Sequence, residues 1–293
     1  MQMKQYLGID VGGTFIKYGV MDAQYRIRSK GEVPTPLKSM DQLLDSFASI
    51  YRSCGEPIAG VGISFTATMD ASNDGYCFGG ALDQYTEGKK VLPLFQSLFA
   101  LPTAVENDGN CFAMGELASG ELKDCEHGVV VGLGTGIAGG IVINRRIYRG
   151  KWSCAAEFSY MLTNMDRKEA WHEINGANGL LREIRLLKQR PDLDGKHFFA
   201  YARQGDADAV RILDAYTSRL TVQLYNLQCV LAPDKIVIGG GISRDPLLME
   251  SLYRNLHEFY ETHRGLPQAN VVKSSLGNDA NLIGAVYNLR ENN

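Results

Sequence analysis

Tyr6-Leu-Gly-Ile-Asp-Val-Gly-Gly-Thr14 is the stretch on which the fold turns. Aliphatic residues lead to a carboxylate, two glycines and a threonine, and Phe15-Ile-Lys-Tyr-Gly-Val-Met21 then resumes a β-rich pattern. The segment reads as strand, glycine turn and second strand. No helical period follows, unlike a dinucleotide-binding turn, and GxxxxGK[ST] is absent. The plan recurs at Val130-Val-Gly-Leu-Gly-Thr-Gly136, followed by Ile137 to Ile143, when Gly12 is matched to Gly134. Two related halves are implied, with a cleft that receives one glycine hairpin from each side and suits an elongated polyanion such as a nucleoside triphosphate.

Outward from these hairpins, residues 25–33, 59–65, 103–105 and 235–238 carry further strand signals. Met40, Leu43, Leu44, Phe47 and Ile50 recur at helical steps, as do Val210, Leu213, Tyr216, Leu220, Leu224 and Leu227. Helices are also expected over 108–117, 179–187, 246–260 and 280–289, and 161–178, which has no clear period, is expected to be an irregular excursion. The class is α/β. The expected domains are 1–107 together with 278–293, closed by the C-terminal helix, and 108–277.

Composition narrows the function. The 293 residues are 45% hydrophobic and 22% charged, ordinary for a globular chain of two domains. A formal net charge of −3 offers no general attraction to nucleic acid or anionic membrane. No run approaches the roughly 18 apolar residues of a membrane helix. Six scattered cysteines form no CxxC pair and read as reduced thiols of a cytoplasmic protein.

Four segments carry candidate chemistry. In Asp10-Val-Gly-Gly-Thr14 the glycines permit positive φ and let backbone N–H groups approach phosphate, while Asp10 can hold magnesium directly or through water. An ordinary Gly-Gly hairpin capped by Asp10 is the competing reading, and Lys17 is either a phosphate ligand or a solvent-facing strand residue. In Gly132-Leu-Gly-Thr-Gly-Ile-Ala-Gly-Gly140 the missing side chains suggest close approach of a ligand to Gly134 and Gly136, with Thr135 as a phosphate contact; a bulged hairpin is the alternative. Gly239-Gly240, after a strand and before a helix, is either a nucleotide-binding turn or a plain connection. In Val105-Glu-Asn-Asp-Gly-Asn110, Asn107 and Asp108 fall where α/β sheets place ligands. Asp108 can take a proton from an attacking hydroxyl while Asn107 orients the acceptor, or either residue can simply cap the helix. Glu157 is similarly open.

Together, Asp10-x-Gly-Gly-Thr14 with Lys17, Glu106-Asn-Asp-x-Asn110, Gly134-Thr-Gly-Ile-x-Gly-Gly140, Glu157 and Gly239-Gly-Gly-Ile242 resemble the ROK family of bacterial sugar kinases and repressors over nearly the whole chain. The resemblance implies an actin-like, hexokinase-type ATPase fold of two ribonuclease-H-like domains closing over ATP and a sugar. Asp108 then matches the catalytic base, Asn107 and Glu157 match sugar ligands, the glycine segments match the ATP loops, and homodimers are common. Glu173 falls near a second sugar-binding glutamate. The family's Glu-x-Gly-His reads Glu157-Phe-Ser-Tyr160 here, its CxCGxxGC cluster is missing, and its Pro-Gly sugar loop is replaced by Phe65-Thr-Ala-Thr68. With Tyr225-Asn-Leu and Pro233 to Ile242, these departures are similar to bacterial β-glucoside kinases, which phosphorylate the 6-hydroxyl of a glucose unit in disaccharides such as cellobiose. An ATP- and magnesium-dependent sugar kinase is the expectation, and a catalytically weak sugar-binding protein is the alternative. A ROK repressor would carry a helix-turn-helix domain ahead of the motif that here starts at Asp10. No structural zinc is expected, since His172 and Cys154 supply only two of four ligands; packing of Trp171, Trp152 or Tyr160 would order that loop instead, with the Tyr160 hydroxyl free to meet a sugar or a neighbouring backbone group.

Overall fold

The computed structural model describes residues 4–55, 57–164 and 166–291. Gln5–Val11 (β1) and Phe15–Asp22 (β2) pair antiparallel with Asp10 opposite Lys17, and Ile27–Pro34 (β3) extends the meander. Tyr25, expected in that third strand, instead occupies the turn at φ 60°. Met40–Ser53 (α1) follows, its first turn capped by Ser39 and its buried face formed by Met40, Leu43, Phe47 and Ile50. Ile58–Phe65 (β4) runs parallel to β1. Ala67–Asp70 (β5) and Tyr76–Gly80 (β6) make a small hairpin, and Asp83–Thr86 (α2) and Leu92–Phe99 (α3) lead to Thr103–Asn107 (β7), parallel to β4. Asp108–Ser119 (α4) departs from β7 without an intervening loop.

Gly128–Leu133 (β8), Ile137–Ile143 (β9) and Arg146–Ile147 (β10) begin the repeat. The stretch expected to be irregular holds short elements: Leu162–Asn164 (β11), Glu169–Ala170 (β12), Trp171–Asn175 (α5) and the start of Ala177–Leu187 (α6). Trp171, fully buried, donates from Nε1 to Asn175 Oδ1 at 3.1 Å, and Asn175 Nδ2 donates to the Tyr216 carbonyl at 2.9 Å. Trp152 and Tyr160, in contrast, are exposed, so of the three aromatics only Trp171 orders this region by burial. Gly195–Arg203 (α7), Ala207–Leu231 (α8), Lys235–Gly239 (β13), Pro246–Thr262 (α9), Val271–Lys273 (β14) and Asp279–Glu291 (α10) complete the chain.

The first sheet has the order β3-β2-β1-β4-β7 and the second β10-β9-β8-β13-β14. Each five-stranded sheet contains a three-stranded meander, and in each the meander's first strand pairs with a parallel strand that starts the far side of the sheet. The repeat read from two glycine hairpins is thus a repeat of whole sheets.

The chain forms two compact units. One comprises Met1–Asp124, Gly140–Ala156 and Asn278–Asn293, the other Cys125–Gly139 and Glu157–Gly277, so the division runs through β9. The first unit holds α4 and α10 because their backbones meet closely: a Cβ on Gly115 or Gly284 would overlap backbone atoms of the facing helix, and one on Gly62 of β4 would overlap Ala285. Leu7, Ile9, Ile63, Phe65, Phe47 and Phe95 form the core beneath α1. Among the described residues no helix is long and apolar enough to cross a membrane.

Candidate active site

Three parallel strands of the first unit end in register. Asp10 lies opposite Ser64, and Ser64 opposite Glu106, so polar side chains sit side by side at one carboxyl edge. Ser64 Oγ donates to Asp10 Oδ1 at 2.8 Å. Burial pushes the Asp10 pKa up, against the pull of that hydrogen bond, of the facing Lys17 charge and of Asn281. Glu106 is fully buried; its Oε1 accepts from Asn107 N at 3.0 Å and Asn110 Nδ2 at 3.1 Å, and its Oε2 from Arg149 Nε at 2.8 Å. These bonds use both oxygens of Glu106 to fix the β7–α4 junction.

Asn107 caps α4. Its Oδ1 accepts from Asn110 N at 3.1 Å and its Nδ2 donates to the Ala67 carbonyl at 3.0 Å, which ties the junction to the start of β5. Asp108 is the first helical residue; its Oδ1 accepts from Gly109 N at 2.9 Å, and the side chain is half-buried. Of the two residues weighed as helix caps in the sequence, Asn107 is the one that caps α4.

The Asp10 hairpin exposes Gly13 and Thr14 and is pinned by Thr35, whose Oγ1 donates to the Gly12 carbonyl at 2.7 Å and whose N–H donates to the Thr14 carbonyl at 3.0 Å. Neither Gly12 nor Gly13 has positive φ, contrary to the conformational argument from sequence. Gly13 leaves space, since a Cβ there would meet nothing nearer than Ala81 Cβ at 3.4 Å, whereas one on Gly12 would crowd the Phe15 carbonyl oxygen at 3.2 Å.

In the second unit β8 and β13 also end together, with Gly132 opposite Gly239. The Gly134-Thr135-Gly136 turn closes through Gly134 N donating to the Gly136 carbonyl at 3.0 Å, and exposes Thr135. Gly240 does require glycine, with φ at 86° and a Cβ position that would overlap Leu133. Ser159, inside the Glu157-Phe-Ser-Tyr160 tetrad, was not singled out in the sequence, yet its Oγ accepts from Ile137 N at 2.9 Å and holds the glycine turn. Glu157 begins the turn Phe158–Tyr160, and Tyr160 is 61% exposed. Glu173 is exposed, and its Oε2 accepts from Ala170 N at 2.7 Å, capping α5. His172 Nδ1 lies 2.8 Å from the Ser159 carbonyl. Among the described residues, no three His, Cys, Asp or Glu side chains gather into a group that could hold a metal ion.

Sequence reasoning also missed Ser64, Arg149 and Asn281. None belongs to a glycine or carboxylate motif, and their partners lie far away in the chain, so no local pattern marks them.

One sheet plan is used twice, with a carboxylate edge in one unit and a bare-backbone edge in the other, the duplicated architecture of the actin-like, hexokinase-type fold. The ROK crystal structure of glucokinase from Streptomyces griseus, in complex with glucose and AMPPNP, superimposes with a TM-score of 0.87 at 26% identity, over 96% of this chain and 97% of that one. Glucokinase from Streptomyces coelicolor is 29% identical, and β-glucoside kinase from Listeria monocytogenes 28%, each over 97% of both chains. The chain belongs to the ROK family, whose model matches residues 6–292. It is an ATP-dependent sugar kinase.

Proposed function

We propose that the enzyme transfers the γ-phosphoryl group of ATP to the 6-hydroxyl of a glucose unit, with β-glucosides such as cellobiose as acceptors. The observation that carries this reading is the shared edge of the first sheet, which sets Asp10 and the β7–α4 junction bearing Asp108 on parallel strands joined through Ser64. Asp108 is the general base: one oxygen is steadied by Gly109 N–H, and the carboxylate accepts the proton of the attacking hydroxyl. Asn107 in the first unit, and Glu157, Tyr160 and Glu173 in the second, are each read as a sugar ligand. Tyr160, exposed and tipped with a hydroxyl, leaves room for a second sugar ring.

Within the first unit the Gly12-Gly13-Thr14 hairpin with Lys17 is read as a nucleotide-binding element offering backbone N–H groups, a hydroxyl and one ammonium, and within the second unit the Gly134-Thr135-Gly136 turn with Gly239 and Gly240 is read as another. Asp10 fits nucleotide-bound magnesium, which commonly takes one or two carboxylates with phosphate oxygens and water; a buried carboxylate whose pKa burial has raised is one that a cation would compensate. Magnesium, when bound, neutralises charge on the triphosphate. The acceptors are small molecules in the cytoplasm, the net charge of −3 speaks against nucleic acid, and the enzyme is read as a homodimer by analogy with its family.

A panel of free sugars and β-glucosides, assayed for ATP-dependent turnover beside calorimetric binding of each sugar, tests the reading. Turnover of β-glucosides is expected, lost on chelation without unfolding. Sugar binding without turnover would replace the kinase reading with a sugar-binding one.

A further inference from the structure

One side chain in the first unit joins the hydrogen bonds around Asp10 to the backbone of Asp108. Asn281 lies in the first turn of α10. Its Nδ2 donates to the Asp108 carbonyl oxygen at 3.1 Å and to Ser64 Oγ at 3.2 Å. A backbone carbonyl only accepts, so the amide group facing Asp108 is the amine. Ser64, receiving that N–H, sends its own proton to Asp10 Oδ1 at 2.8 Å. A hydrogen-bonded line thus runs from the carboxylate of Asp10, through a fully buried hydroxyl and a part-buried amide, to the backbone of Asp108. The helix that carries Asn281 is seated firmly: α10 lies against β4 and α4 where Gly62, Gly115 and Gly284 leave no room for a side chain.

We propose that Asn281 is a positioning residue for phosphoryl transfer, a strut that fixes the spacing between Asp10 and the first turn of α4 from which Asp108 projects. The inference rests on the roles given to Asp10 and Asp108 under the proposed function. In-line transfer depends on holding acceptor and nucleotide at a set separation, and small misplacements are costly. Losing the strut therefore lowers kcat more than it weakens sugar binding.

Asn281→Leu keeps a side chain of similar size and removes both donated bonds. It is expected to lower kcat about tenfold or more while the sugar KM stays within about twofold. Ser64→Ala interrupts the same line and is expected to have a comparable effect. The double variant should lose less than the product of the two single losses, because the two residues belong to one hydrogen-bonded network around Asp10. Retention of more than about half of wild-type kcat by Asn281→Leu, or losses that multiply in the double variant, would overturn the proposal. If thermal melting shows that Asn281→Leu does not fold, Asn281→Ala takes its place in the same cycle under the same criteria. Asp108→Asn, measured alongside, separates the two levels of inference. Full turnover in Asp108→Asn removes the base assignment and the strut with it, whereas an inactive Asp108→Asn beside a fully active Asn281→Leu removes the strut alone.

Discussion

At the carboxyl edge of the first sheet the chain presents Asp10, Ser64, Glu106 and Asn107; at the matching edge of the second it presents Gly132, Gly134, Gly136, Gly239 and Gly240. The strands beneath follow one order in both sheets. The difference therefore lies in what a shared scaffold is asked to hold. On the proposed roles, moving a proton and binding a cation would require carboxylates at fixed positions, and on the first edge Ser64, Arg149 and Asn281 hold Asp10, Glu106 and the backbone of Asp108. Holding phosphate oxygens would require N–H groups that a ligand can approach, and the glycines of the second edge carry no side chains of their own.

If the edges divide the work in this way, variants at each should fail differently. The largest effect is expected for Asp108→Asn, which keeps the hydrogen-bonding shape and cannot accept the proton: kcat should fall more than about 100-fold with ATP affinity unchanged. Activity above about a tenth of wild type would contradict the base assignment. Gly136→Val is the counterpart on the second edge. A Cβ there already lies 3.0 Å from Ser159 Oγ, so the branched side chain should displace the turn and abolish ATP binding by calorimetry in a folded protein. Unchanged ATP affinity would remove the phosphate role of this turn.

Arg149→Met should sharpen the contrast by leaving fully buried Glu106 without its cation. Because the Arg149 side chain is 34% exposed and water can replace part of its contribution, the expected loss is about 2–3 kcal/mol, below the usual range for a wholly buried pair. A melting temperature equal to wild type would show that the β7–α4 junction does not depend on the pair. The smallest effect on stability concerns Asp10. Its folded-state pKa is raised, so the fold favours the protonated form, and the ionised form costs stability as pH rises through that pKa. Asp10→Asn should therefore raise the melting temperature at pH 7 by about 2–4 °C, a gain that shrinks as the pH is lowered toward the unfolded carboxylate pKa, while turnover is lost. A lower melting temperature at pH 7 would show that ionised Asp10 stabilises the fold.

The same comparison explains what could be read in advance. The Asp10–Thr14 and Gly134–Gly136 turns are local, so their hairpins and the duplication of the sheet were legible, as were the long amphipathic helices α1 and α8. Asp108 stood out through its place after a strand. The glycines were less transparent: Gly12 and Gly13 need no special φ, whereas Gly240, in the least distinctive of the segments, does. Asn175 shows why 161–178 looked irregular, since that fully buried amide is held by Trp171 and by Tyr216 of a distant helix rather than by any local period. Asn281 and Ser64 stayed hidden for the same reason: their hydrogen bonds join β1, β4, α4 and α10, elements far apart in sequence.

The central claim, that this edge of carboxylates directs phosphate from ATP onto the 6-hydroxyl of a glucose unit within a β-glucoside, is tested most directly by the structure of the product. Incubation with cellobiose, ATP and magnesium, followed by phosphorus-coupled NMR of the purified product, should place one phosphate on O6 of the non-reducing glucose. Phosphate on another hydroxyl, or turnover with free glucose and none with cellobiose, would contradict it.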